Sequence, residues 1–285
     1  MKSALFTGAA VTLGLLLASI GSAQANAASP AAAGSSAAAH QPTAQARQHG
    51  IEKAGDAYMG WLSNNTMTPA TAAPAVMAPA ATVEGIDVAS HQGNVDWTAQ
   101  WNAGRRFAYV KASEGNYYTN PYFAQQYNGS YNVGMIRGAY HFATPNDSSG
   151  ANQATYFLAH GGGWSRDGKT LPGALDIEYN PYGATCYGLS ASAMVSWIRD
   201  FANTYKAKTG RDVPIYTNLD WWTRCTGNST AFNTTNPLWV AKYASSPGTL
   251  PGGWGFHTIW QYSSTPIDQD RFNGDMSRLQ ALANG

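Results

Sequence analysis

Charge is scarce in this 285-residue chain. Asp, Glu, Lys and Arg make up 12% of it, and 17 basic against 16 acidic residues leave a formal charge of +1. From Val83 to the end there are fourteen residues of each sign, so that part is formally neutral. A chain without a basic surplus has no electrostatic footprint for nucleic acid or for an anionic lipid surface. Cysteine is nearly absent as well. Cys186 and Cys225 are the only two, and with no His cluster beside them they do not make a zinc site. No metal and no other cofactor is expected. Long apolar runs are also missing: Ala9 to Ile20 is too short and too interrupted to span a bilayer, so no membrane anchor is expected.

That short run has another reading. With Lys2 before it and Ala23-Gln24-Ala25 or Ala25-Asn26-Ala27 after it, residues 1–27 have the form of a secretory signal. The mature protein is therefore expected outside the cell, where a lone cysteine pair forms a disulfide. Residues 28–82 are rich in Ala, Pro and Ser and lack the apolar periodicity of a core, which suggests a pro-segment or flexible spacer. Within it, a short helix is expected between Arg47 and Trp61. Residues 83–285 are long enough for one domain with a sizeable core.

In that domain strand-like and helix-like segments alternate. Strands are expected at 83–90, 106–112, 134–143, 174–178, 213–218, 238–243 and 258–262, and helices at 95–103, 121–131, 150–160, 190–209 and 274–283. The 190–209 stretch places Met194, Ile198, Phe201 and Tyr205 on one apolar face, with Gly210 as its C-cap. Alternation of this kind implies parallel pairing. Strand-sized pieces in this number within one closed domain suggest an α/β barrel whose last section lacks its helices. Asp96, ahead of Trp97, is expected to cap a helix.

Parallel barrels carry their chemistry at the C-terminal ends of the strands. Polar or aromatic clusters stand at nearly every such end here: Asp87, Lys111 with Glu114, Tyr140 with His141, Asp176 with Glu178, Tyr216, Trp239 with Lys242, and Gln261 followed by Asp268. The run Leu175-Asp176-Ile177-Glu178 carries the most information. On a strand, side chains two apart share a face, so Asp176 and Glu178 point the same way and Ile177 the other. Two acids held this close push their pKa values apart, as a general acid beside a second carboxylate requires. Glycoside hydrolysis is built on such pairs. Nine of the ten tryptophans lie in this domain, together with many Tyr, Asn and Thr, which suits a sugar ligand.

Five motifs taken together extend this reading. Gly85-Ile-Asp-Val-Ala-Ser-His-Gln-Gly93, Val110-Lys-Ala-Ser-Glu-Gly115, Gly138-Ala-Tyr-His-Phe-Ala143, Leu175-Asp-Ile-Glu178 and Trp260-Gln-Tyr-Ser263 resemble the family 25 glycoside hydrolases, the Chalaropsis-type lysozymes, and especially their secreted actinobacterial N-acetylmuramidases. The resemblance runs over 83–285 and implies an α/β, modified TIM-like barrel of about five βα units followed by three strands with few helices. It implies a retaining hydrolase that cuts the β-1,4 bond between N-acetylmuramic acid and N-acetylglucosamine in peptidoglycan, acting as a monomer on glycan strands. It also implies Glu178 as general acid, Asp176 as partner carboxylate, Asp87 as a further catalytic acid, and Asp268, in a run completed by Asp270, as the fourth acid of the cleft. Tyr140, Tyr216 and Trp239 are candidate sugar platforms. Lys111, Glu114, His141, Lys242 and Gln261 are candidate hydrogen-bonding groups. Whether Asp176 is the nucleophile or orients the substrate's acetamido group stays open. Two other readings remain beside it, a chitinase-like β-1,4-N-acetylglucosaminidase and a non-catalytic glycan-binding module. The longer acidic series of a chitinase is missing before Asp176, where Leu171-Pro172-Gly173-Ala174 stands.

Overall fold

The computed structural model describes residue 1 and residues 40–63 and 81–285. Residues 2–27 of the expected signal, and 28–39 and 64–80 of the expected spacer, lie outside the described residues.

Eight strands close into a barrel. In chain order the elements are α1 (Ala44–Gln48), β1 (Thr82–Val88), α2 (Trp97–Asn102), β2 (Phe107–Glu114), the two-residue β3 (Tyr118–Thr119), α3 (Phe123–Asn132), β4 (Ile136–Phe142), α4 (Gly150–Ala159) and β5 (Ala174–Asp176). They continue with α5 (Ala191–Thr209), β6 (Ile215–Thr217), α6 (Leu219–Thr226), β7 (Leu238–Ala241), β8 (Ile259–Ser263), β9 (Gln269–Asn273) and α7 (Met276–Asn284). The sheet runs β1-β9-β8-β7-β6-β5-β4-β2 and closes through a parallel β1–β2 pairing; β3 hangs on β2 outside the ring. Five βα units are followed by three strands with no α-helix between them, the architecture that the resemblance implied. Among the described residues no helix is long and apolar enough to cross a membrane.

Local chemistry explains the helix ends. Ser190 accepts from the Ala193 N–H at the start of α5, and Gly210 ends it in the left-handed region at φ 76°. Asp96 accepts from Ala99 N at the start of α2, as its sequence context suggested. The long α5 buries Met194, Trp197, Ile198, Phe201, Ala202 and Tyr205 against the outer face of the sheet. Cys186 and Cys225 are joined, closing a loop across 39 residues.

Three elements depart from the expectation. The last strand, β9, pairs antiparallel with both β1 and β8, and its Gln-Asp-Arg-Phe-Asn sequence has too little apolar character to announce a strand. Helix α6 was not foreseen either. Asn218, read as a strand end, is its N-cap and accepts from Trp221 N, while Gly227 closes it. Between Arg47 and Trp61 the only helix is α1, five residues long. Beyond it Ile51, Ala57, Met59 and Trp61 are fully or almost fully buried against the barrel, at a spacing that no single helical face provides. The segment 40–63, expected as part of a pro-segment or spacer, is thus packed onto the domain.

The strand alternation builds the interior. Val83, Phe107, Tyr109, Ile136, Tyr140, Ala174, Tyr216, Trp239, Ala241, Ile259 and Phe272 form one buried column inside the ring, while Leu175, Ile177, Ile215, Leu238 and Val240 face the helices. Helix α7 seals the N-terminal end of this column with Leu279 and Ala283, both at 0% exposure. Leu279→Ala leaves a cavity there and is expected to cost about 2–4 kcal/mol, read as a lower midpoint in equilibrium urea unfolding. An unchanged midpoint would show that α7 does not support the barrel.

Candidate active site

The opposite end of the column is polar. The alternation that places Val83 and Gly85 in the ring brings Asp87 inward at the end of β1; on β5 it brings Asp176 inward, and Glu178 follows two residues on. From β9 comes Asp270, opposite Gly85 and Gln261, with Asp268 just ahead of it. All five carboxyl groups are buried, with Asp268 the most exposed at 4%.

Few donors meet these acids. Gln261 Nε2 donates to Asp87 Oδ2 at 2.7 Å, and Trp239 Nε1 donates to Asp270 Oδ1 at 3.0 Å. The Gly60 N–H donates to Glu178 Oε1 at 2.6 Å. Neither oxygen of Asp176 receives an N–H or hydroxyl donor, and neither does Oε2 of Glu178 or Oδ1 of Asp87. Carboxyls out of water with few donors keep their protons. Burial therefore pushes Asp87 up to about 7, against the smaller opposing effect of the Gln261 hydrogen bond. Burial, and then the charge of Glu178, raise Asp176 well above the carboxylate range, with Lys111 opposing. Burial raises Glu178 likewise; the Gly60 N–H opposes it and the charge of Asp87 adds to it. Asp268 and Asp270 shift in the same direction, first through burial and then through Asp87.

The candidate binding residues divide into two groups. Lys111, fully buried, pairs with Glu114, and its ammonium also donates to the carbonyl oxygens of Gly55, at 3.0 Å, and Ala57. Tyr216 OH donates to Gln261 Oε1 at 2.6 Å, and Tyr140 OH accepts from Met59 N at 3.4 Å. These groups share the mouth with the acids. Trp239 lies among the column side chains, packed on Tyr109 and Tyr216, so its ring faces offer no open platform. His141 points the other way, toward the helices. Its ring contacts Phe157 and Phe201 and bonds Ser113 and Gln153, because Tyr140 and Phe142 take the inward positions of β4. Burial lowers its pKa to about 3, and it is a wall residue rather than a cleft ligand. Lys242 is half-buried, its ammonium beside Gly248 in the loop after β7.

The sequence reading missed three tyrosines. Tyr243 donates to Gln261 Oε1 at 3.1 Å, while Tyr117 and Tyr182 donate to Glu114. Each stands just beyond a strand or motif, and single tyrosines in loops carry no periodic signal. Among the described residues no group of three or more His, Cys, Asp or Glu is arranged to hold a metal ion.

A barrel with acids clustered at the C-terminal strand ends is the layout of a glycoside-cleaving enzyme. The sequence profile of Glycosyl hydrolases family 25 matches residues 86–270, and the chain belongs to that family. Lysozyme M1 of Streptomyces globisporus is 51% identical over 210 residues, covering 71% of either chain. The N,O-diacetylmuramidase of Chalaropsis sp is 51% identical over 211 residues, 72% of this chain and 100% of that protein. Among solved structures, a family GH25 lysozyme from Aspergillus fumigatus superposes with a TM-score of 0.71 at 51% identity, over 72% of this chain and 100% of that one. The bacterial lysozyme from Streptomyces coelicolor gives 0.70 at 51% identity, over 71% and 97%.

The raised carboxyl of Asp87 has a measurable consequence. The unfolded chain releases this proton near pH 4, whereas the folded chain holds it up to about 7. The stability it contributes is complete below pH 4 and is lost as pH rises through 7. Asp176, Glu178, Asp268, Asp270 and the Lys111 ammonium surround it and are the same in both proteins of the comparison. Wild type is therefore expected to lose stability relative to Asp87→Asn between pH 4 and pH 7, measured as the difference in urea midpoints. A constant difference across that range would contradict the assignment.

Proposed function

We propose that this protein is a secreted lysozyme, a 1,4-β-N-acetylmuramidase that cuts peptidoglycan between N-acetylmuramic acid and N-acetylglucosamine with retention of configuration. The observation that carries the proposal is the Asp176–Glu178 pair. Both side chains turn into the mouth of a family 25 barrel, beside Asp87 and Asp268. The muramidases and lysozymes among the relatives at 51% identity support the choice of substrate.

In this reading Glu178 holds a proton at neutral pH because it is buried beside other acids. It gives that proton to the glycosidic oxygen as the bond to C1 breaks, and later takes one from the attacking water. Asp176 works at the anomeric carbon, as the nucleophile or by orienting the acetamido oxygen that attacks in its place. Asp87, held by Gln261, stands beside this pair where the oxocarbenium-like centre develops. Lys111, Glu114, Tyr140, Tyr216, Gln261 and Asp268 supply the polar lining for the sugar hydroxyl and acetamido groups. The protein acts as a monomer, without metal or cofactor.

Glu178→Gln is expected to lower turnover of a peptidoglycan suspension about a thousandfold with the urea midpoint preserved. Near-normal turnover would sink the assignment. The released fragments should end in N-acetylmuramic acid at the reducing end; N-acetylglucosamine there would favour the chitinase-like reading. A glycosyl adduct on Asp176 trapped for mass spectrometry would mark it as the nucleophile, and its absence alongside an oxazolinium-type inhibitor response would favour the acetamido route.

A further inference from the structure

A cleft that hydrolyses a polysaccharide must admit it, yet the acids of this one are at 0–4% exposure. What covers them is the chain's own segment 40–63. It is anchored at one end by His40, whose Nε2 lies 2.9 Å from Asp147 Oδ2, and by Thr43 N donating to Pro181 O at 2.8 Å. At the other end Trp61 is buried with Phe142 in one apolar cluster and donates from Nε1 to Tyr179 O at 2.9 Å. Between these anchors the main chain of 55–60 runs across the mouth. Gly55 N donates to Glu114 Oε1 at 3.2 Å, and the carbonyls of Gly55 and Ala57 accept from Lys111. Met59 N donates to Tyr140 OH, and Met59 itself caps the barrel column with no exposure. The Gly60 N–H rests on Glu178 Oε1 at 2.6 Å, while Gly60 O accepts from Tyr243 OH at 3.2 Å.

Lys111, Glu114, Tyr140 and Glu178 among these partners are groups assigned above to the sugar or its glycosidic oxygen, and the amide N–H and C=O of a peptide are the same hydrogen-bonding groups that an acetamido sugar carries. Gly60 is built for this approach. Its φ of +79° is one that L side chains rarely adopt, and a Cβ there would lie 2.4 Å from Tyr243 Oη, 2.5 Å from Gln261 Oε1 and 2.8 Å from Tyr216 Oη. Four apolar side chains, Ile51, Ala57, Met59 and Trp61, are buried along the same path.

We propose that residues 40–63 are an intramolecular inhibitor that occupies the glycan-binding cleft, so that the chain is a zymogen whose activity requires this segment to leave. The proposal rests on the muramidase reading of the cleft. Because the segment is tethered to the barrel, its effective concentration at the cleft is high and soluble substrate competes poorly.

The test uses the chain from residue 28 with a site-specific protease sequence inserted between residues 72 and 73, cut after folding and freed of the released fragment. The uncut chain is expected to clear peptidoglycan at least tenfold more slowly than the cut chain. Gly60→Val in the uncut chain is expected to restore the rate to within about threefold of the cut one. A synthetic peptide of residues 40–63 added to the cut chain should raise the apparent KM and leave kcat unchanged. Equal rates for cut and uncut chains would overturn the proposal, and so would a Gly60→Val chain as slow as the uncut parent. If both forms are inactive, the muramidase reading fails instead, and retention on insoluble peptidoglycan decides the occupancy: retention of the cut chain alone supports it, and retention of both overturns it.

Discussion

A carboxyl group removed from water holds its proton, and the mouth of this barrel removes five of them at once. Asp87, Asp176, Glu178, Asp268 and Asp270 are all buried and all raised. Much of the structure serves to tolerate that arrangement. Below the acids stands a column of aromatic and aliphatic side chains sealed by Leu279 and Ala283. Around them, Gln261 and Trp239 supply the few donors, and Lys111 with Glu114 places a compensated ion pair at the rim. An isolated buried ion pair is weak support for a fold, since desolvation offsets its attraction. Here the pair is also bound by main-chain carbonyls of another segment, which satisfies the ammonium without water.

The same scarcity of donors explains why the cleft accepts a peptide. Glu178 Oε1 lacks a donor from the barrel, and Gly60 supplies one. Glu114 Oε1 takes Gly55 N together with the hydroxyls of Tyr117 and Tyr182. A site shaped to bind amide-bearing sugars has hydrogen-bonding groups left over when sugar is absent. A flexible main chain with glycines at 55 and 60 can reach them where bulkier residues could not. Catalytic competence and self-occupancy are thus two results of one lining.

Part of this was legible in the chain. Four of the five βα units followed from periodicity, since helices such as α5 carry a clear apolar stripe between good caps. The inward pairing of Asp176 and Glu178 followed from the two-residue period of a strand. Strand β9 and helix α6 were not legible, because Gln-Asp-Arg-Phe-Asn owes its strand to neighbours on both sides and the cap Asn218 follows directly on the last residue of β6. His141 was assigned by its place in a motif, whereas the side it faces depended on which neighbours took the inward positions of β4. Tyr243, Tyr117 and Tyr182 could be found only where loops meet.

By itself, the sequence determined the class of barrel, the strand ends that carry chemistry and the acids on them, because each depends on local period and spacing. Tertiary structure alone decided that β9 brings Asp268 and Asp270 back to Asp87, which lies more than 180 residues earlier. It also decided that the low-complexity stretch before the barrel contains a segment fitted to the cleft. Ile51, Ala57, Met59 and Trp61 stand at even intervals, as on a strand, yet no strand forms there and no sheet neighbour pairs with them. Their order makes sense only against the surface that receives them, and that surface exists once the barrel has closed.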